Sequence, residues 1–265
     1  MTDGVAHLLG RIGAVEQRLR RAVAERRAAD PNPDDQFRGL YLSDEAIDAL
    51  LATRREPFTA PAQSEQVPSR LTALAEAAHL HDLDVELLLI AMAPDVDSRF
   101  EQFYGYLNDD VTRRRPTIGL ALRLCGLAES DVAGRARFAA TAPLIDCGLV
   151  SVADTDRPLL SRALRVPDRV THHLLGGDGC DPAAAPILDA GATQIVLSGD
   201  GRLAKAIAAG TGLVYLHEGL GGGAASAAAA AFAAAGHETL TVDCRLLPKP
   251  EDTAEAATAL AREAV

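Results

Sequence analysis

The run DVELLLIAMAPDV, Asp84 to Val96, is apolar on nearly every side of the helix that its residues favour. A helix of that kind has no polar face to give to water, so it belongs at the centre of a domain with other helices around it. The neighbouring sequence supplies those helices. RLTALAEAAHLH, from Arg70, predicts one before it, and SRFEQFYGYLNDDV predicts one after it with Phe100, Phe103, Tyr104 and Leu107 on one side. Pro116 opens a further helix, PTIGLALRLCGL, at a position where proline is tolerated, and residues 130–139 predict a fifth.

A change of period follows. APLIDCGLVSVADTDRPLLSRALRVP holds two short β-prone runs around the polar turn ADTDRP, which predicts a β-hairpin, and PDRVTHHLLGG returns to helix. Helices followed by a small hairpin is the order of a winged-helix module.

Upstream, residues 3–28 read as one helix. Val5, Leu8, Ile12, Val15, Leu19 and Ala22 recur at alternating spacings of three and four, an apolar stripe that suits either packing on its own chain or self-association. Arg18, Arg20, Arg21, Arg26 and Arg27 load the carboxyl end of this helix, in keeping with its dipole. DPNPDD then breaks the helix. In FRGLYLSDEAIDALL, Ser43 is placed to cap a second helix with Ile47, Leu50 and Leu51 inward. The proline-rich REPFTAPAQSEQVPS, ending at Ser69, predicts a linker.

Beyond GGDGCDPAAAP the character changes again. QIVLS, GLVYLHE and ETLTVDCRLL are apolar runs of strand length, with the helical segments RLAKAIAAG, AASAAAAAFAAAG and DTAEAATALAREAV between and after them. Strand and helix in alternation predict a parallel α/β sheet. Within it, LHEGLGGGAASAAAAAF has the outline of a phosphate-binding loop between a strand and a helix amino terminus.

Laid from Gly219 against G-x-x-x-x-G-K-[ST], that loop reads G-L-G-G-G-A-A-S. Gly219, Gly221, Gly222 and Gly223 offer backbone N–H groups to an anion, and Ser226 keeps the metal-binding hydroxyl. Ala224 replaces the second glycine, and Ala225 replaces the lysine that bridges the terminal phosphates. Transfer chemistry depends on stabilising that charge, so no catalytic residue is assigned here. Asp243 lies in an apolar run with no Glu after it and does not read as the acidic residue that holds magnesium. With so few strands after the loop, the chain reads as the front part of something longer.

TRRRP is the compact basic cluster near the helical module. Arg113, Arg114 and Arg115 are candidates for contact with nucleic-acid phosphates or a protein partner, or for salt bridges to Asp97, Asp109 and Asp110, and salt bridging is the reading preferred. A net charge of -11 argues against wholesale binding to nucleic acid or an anionic membrane. His172 and His173 are adjacent, as His79 and His81 nearly are, so neither pair faces one metal easily, and no metal site is assigned. Cys125, Cys147, Cys180 and Cys244 form no C-x-x-C pair and read as buried free thiols of a cytoplasmic protein. No apolar run is long enough for a membrane span.

FRGLYLSDEAIDALL, LDVELLLIAMAPDVDSRFEQFYGYLNDDVTRRRPTIGLALRL and LVYLHEGLGGGAASAAAAAFAAAGHETLTVDCRLL resemble bacterial AAA+ ATPases with a winged-helix amino-terminal region, some of them encoded with extracellular contractile injection systems. The likeness covers most of residues 37–265, and YGYLNDDVTRRRP is its most specific part. It implies a helical and winged-helix front end, a first AAA+ domain with an eroded nucleotide loop at Gly219 to Ser226, and a separate active AAA+ domain that binds ATP and magnesium. It also implies a ring-forming cytoplasmic ATPase that remodels or assembles protein complexes.

The expected architecture is therefore α+β and multidomain: amino-terminal helices over 1–54, a linker over 55–69, a winged-helix-like helical domain over 70–176, and the start of a degenerate α/β AAA+ domain over 186–265. The expected function is non-catalytic: docking a protein partner or substrate and assembling a ring, with homo-oligomers possible. The alternatives are a winged-helix nucleic-acid-binding protein and a nucleotide-binding switch that does not hydrolyse.

Overall fold

The structure, a computed structural model, describes residues 3–28, 48, 49, 52, 69–188, 201–218, 223–247, 249 and 253–265. It divides into two compact units, one over 1–179 with Val265 and one over 180–264. The expected Ser43 cap, the inward positions Ile47, Leu50 and Leu51, the linker 55–68 and the run QIVLS lie outside the described residues.

Helix α3 (Asp82–Val96) is the centre of the first unit. Leu87, Leu88, Leu89, Ile90 and Met92 are all fully buried, as the all-round apolar run requires. Helix α1 (Asp3–Ala28) lays Leu8, Ile12, Val15, Leu19 and Val23 into the same core. The stripe thus serves its own chain, the first of its two expected uses. Val23 rather than Ala22 is the last fully inward position, because the helix has 3.6 residues per turn and an alternating three–four spacing drifts round it.

Helix α2 (Arg70–Ala77) starts at Ser69, whose hydroxyl accepts from Thr72 N–H while the Thr72 hydroxyl accepts from Ser69 N–H. It stops short of the expected His81. His79 takes a left-handed conformation with φ 51°, and Leu80 N–H reaches back to Ala75 O at 2.8 Å, closing the helix end. Helix α4 (Arg99–Leu107) buries Phe100, Phe103, Tyr104 and Leu107 as its pattern predicts, and it ends in the same way at Asp109 with φ 57°.

Helix α5 (Ile118–Leu124) is capped by Thr117, whose hydroxyl accepts from Leu120 N–H, so Pro116 lies one residue before the cap. Helix α6 (Val132–Ala136) is capped by Asp131. The two helices meet closely at Gly134, where an added Cβ would lie 2.8 Å from Leu122 Cδ2. Helix α7 (Pro143–Asp146) leads into strand β1 (Ser151–Val152), which pairs antiparallel with β2 (Leu164–Arg165), Ser151 opposite Arg165. Thr117 adds a bridge to Ala163, and helix α8 (Asp168–Leu174) follows. The expected hairpin is present, with a short 3-10 turn at Leu159–Ser161 inside its loop.

The second unit contains the expected helices, here α9 (Gly201–Ala208), α10 (Ala224–Ala234) and α11 (Thr253–Glu263). Its expected strands are not found among the described residues. Residues 212–218 form no ladder, and Leu213 and Tyr215 are 91% and 85% exposed. Within 238–247, Val242 makes an isolated bridge to Leu188 and Cys244–Leu246 is a 3-10 turn capped by Asp243. Strand-forming side chains need ladder partners to become a sheet, and the described residues supply only that one bridge. Arg262 pairs with Asp181 at 2.9 Å, both side chains being largely buried, and Glu263 accepts from Asp181 N–H.

Candidate functional site

The helix–turn–helix α5–α6 and the hairpin β1–β2 form one frame. Ile118 N–H donates to Arg162 O at 3.0 Å and Leu164 N–H to Pro116 O at 2.9 Å, so the start of α5 is stitched to the return strand. The loop between α4 and α5 braces it further. Asn108 donates to Arg115 O and its own carbonyl oxygen accepts from the Thr117 hydroxyl at 3.1 Å. The Arg113 guanidinium donates to Ser161 O in the hairpin loop.

All three arginines of TRRRP are engaged in this bracing. Arg115 makes a two-pronged pair with Asp95, both contacts 2.6 Å. Arg113 pairs with Asp110 at 3.1 Å and Arg114 with Glu101 at 3.4 Å. The Thr112 hydroxyl and N–H, followed by Arg113, hold the Asp110 carboxyl below its ordinary value. Salt bridging is thus what the structure shows, with a partly different set of acids. Of those expected, only Asp110 serves, since Asp97 pairs with Arg99 and Asp109 with Arg26. Arg114 alone remains well exposed, at 70%.

The face of α6, which a nucleic-acid reader would press into a groove, is short of cations. Arg135 donates to Glu129 O, and Arg137 donates to the fully buried Asp84 carboxylate at 3.2 Å. Arg123 pairs with Glu129. What α6 and the residues after it expose is Val132, at 81%, with Ala133, Ala136, Ala139 and Ala140. At the hairpin tip, Asp154, Thr155, Asp156 and Arg157 are all exposed, with Asp154 in the left-handed region at φ 56°. Two carboxylates there repel a phosphate backbone. No periodicity in the sequence points to Val132, because a lone exposed valine carries no pattern of its own.

At the other candidate, Gly223 is the N-cap of α10 with φ 131° and Ser226, in its first turn, is only 9% exposed. Gly219, Gly221 and Gly222 lie outside the described residues. The anion that meets the start of α10 is the chain's own: Glu218 accepts from Ala224 N–H at 3.1 Å. His217 is exposed.

No group of His, Cys, Asp and Glu suited to a metal ion occurs among the described residues. Burial pushes the Cys125 thiol up to about 11 and the Cys147 thiol upward as well. The expected burial is thus only partial for these two, and Cys180 and Cys244 are exposed, the former in an irregular segment and the latter opening the 3-10 turn of the second unit. His7 shares a hydrogen bond with the Ser69 hydroxyl at 3.0 Å, and burial followed by the nearby Arg11 lowers its pKa. No helix among the described residues is long and apolar enough to cross a membrane.

No curated protein and no solved structure matches the chain. The profile of a family described as a variant of the winged helix domain matches residues 2–188, well over half of the sequence. With the helix–turn–helix, the stitched hairpin and that match together, the chain belongs to the variant winged-helix domain family.

Proposed function

We propose that this chain is the non-catalytic amino-terminal region of an AAA+ ATPase, and that its winged helix docks a protein partner or substrate for the assembled ring. The observation that carries the docking role is the character of α6. Arg135 within it and Arg137 just after it are turned to internal acceptors, and its exposed surface is Val132 among alanines, a face suited to an apolar protein contact. The AAA+ assignment rests on the resemblance of YGYLNDDVTRRRP and its flanks. ATP and magnesium belong, on this reading, to a separate active domain, because Ala225 removes the phosphate-bridging cation from the loop at Gly219. Contractile injection systems are the setting that the resemblance suggests.

The coding sequence beyond Val265 is a direct check, where an intact G-x-x-x-x-G-K-[ST] is expected. The chain itself should show no magnesium-dependent ATP turnover. Turnover that is lost on Ser226→Ala would overturn the reading. Titration with duplex DNA at low salt separates the nucleic-acid alternative: no binding is expected, and salt-sensitive binding weakened by alanine at Arg113, Arg114 and Arg115 would replace docking with DNA recognition.

A further inference from the structure

We draw no further inference here: the strongest candidate, the exposed apolar run Leu213–Leu216 that precedes α10 in the second unit, carries nothing because no feature of the structure shows what covers it.

Discussion

Pro94 interrupts the hydrogen-bond ladder of the central helix, and Tyr104 repairs it. A proline at position 94 has no N–H to give to Ile90 O, four residues back, inside α3. The Tyr104 hydroxyl donates to that carbonyl instead, at 2.7 Å. Burial pushes the Tyr104 phenol upward, so it remains a donor throughout the ordinary pH range. Tyr104→Phe leaves the carbonyl buried and unpaired and should cost about 1–3 kcal/mol, read by urea denaturation. In a Pro94→Ala background, where the helix regains its own donor, the same change should cost measurably less. Equal costs in both backgrounds would show that the hydroxyl does not substitute for the missing N–H. None of this is legible in the sequence, where Tyr104 reads only as one more apolar position. Asp84 is a second case. Its carboxylate is fully buried, and one oxygen takes both Arg137 and the His81 N–H while Oδ1 has no partner. Arg137→Met should therefore destabilise by about 3 kcal/mol or more by leaving that charge uncompensated. The double variant with Asp84→Asn should recover much of the loss in the same denaturation series.

At the scale of elements, α1 shows what a pattern can and cannot disclose. Its apolar stripe announces a buried face, but nothing in the spacing says which surface meets it. The ion pairs along its edge settle the matter. Glu86 of α3 is gripped by Arg11 at 2.6 Å and by Arg18, and Arg99 of α4 reaches Glu16 at 3.2 Å. Arg26 lies over the Tyr106 ring, 4.8 Å from its centroid. Partners so distant in sequence cannot be read from local periodicity. Burial alone would raise the Glu86 carboxyl, but the hydrogen bonds and charges of Arg18 and Arg11 more than reverse it, leaving the group below its ordinary value. A carboxyl with a depressed folded-state pKa stabilises above its unfolded value, and that contribution is lost as pH falls through the folded one. Stability should thus decline below about pH 4.5, and Glu86→Gln should be less stable at pH 7 but show a shallower decline in the acid limb. An unchanged acid limb in the variant would remove Glu86 from the account. The helix ends tell the same story on a smaller scale. The carboxyl-terminal stop of α2 is invisible because His79, not glycine, takes the left-handed position. His79→Gly should raise the thermal midpoint slightly, the relief of about 1 kcal/mol of strain being partly offset by a freer unfolded chain.

Across the whole molecule, the two units differ in how they spend their apolar residues. The first places Leu, Ile, Val, Phe and Tyr in one continuous core shared by α1 to α5, α7 and α8. The second, among its described residues, buries only Ile187, Ile207 and the alanines 184, 231, 256 and 259 as apolar side chains. It leaves Leu213, Val214, Tyr215, Leu216, Leu246 and Leu247 exposed. That contrast explains which part of the fold the sequence makes legible. Helices over 70–176 and the hairpin around ADTDRP follow from local periodicity and turn chemistry, and both are satisfied by nearby partners. A sheet through GLVYLHE and ETLTVDCRLL depends on ladder partners that apolar character alone cannot supply, so strand-like composition there does not yield strands. Free energy follows the same division, since burying a large apolar side chain is worth about 1.5–3 kcal/mol and an alanine much less. Local opening should accordingly be cheap in the second unit and expensive in the first. In hydrogen exchange, amides of α3 and α4 should be the last to exchange, at the free energy of global unfolding. Amides of α9 and α10 should exchange orders of magnitude sooner, and, of the described segments, limited proteolysis should cut first within 209–218. A fragment ending at Gly179 should still unfold cooperatively, with a midpoint close to that of the full chain. Should that fragment fail to fold, or α9 and α10 prove as protected as α3, the first unit would not be the self-sufficient body that its core indicates.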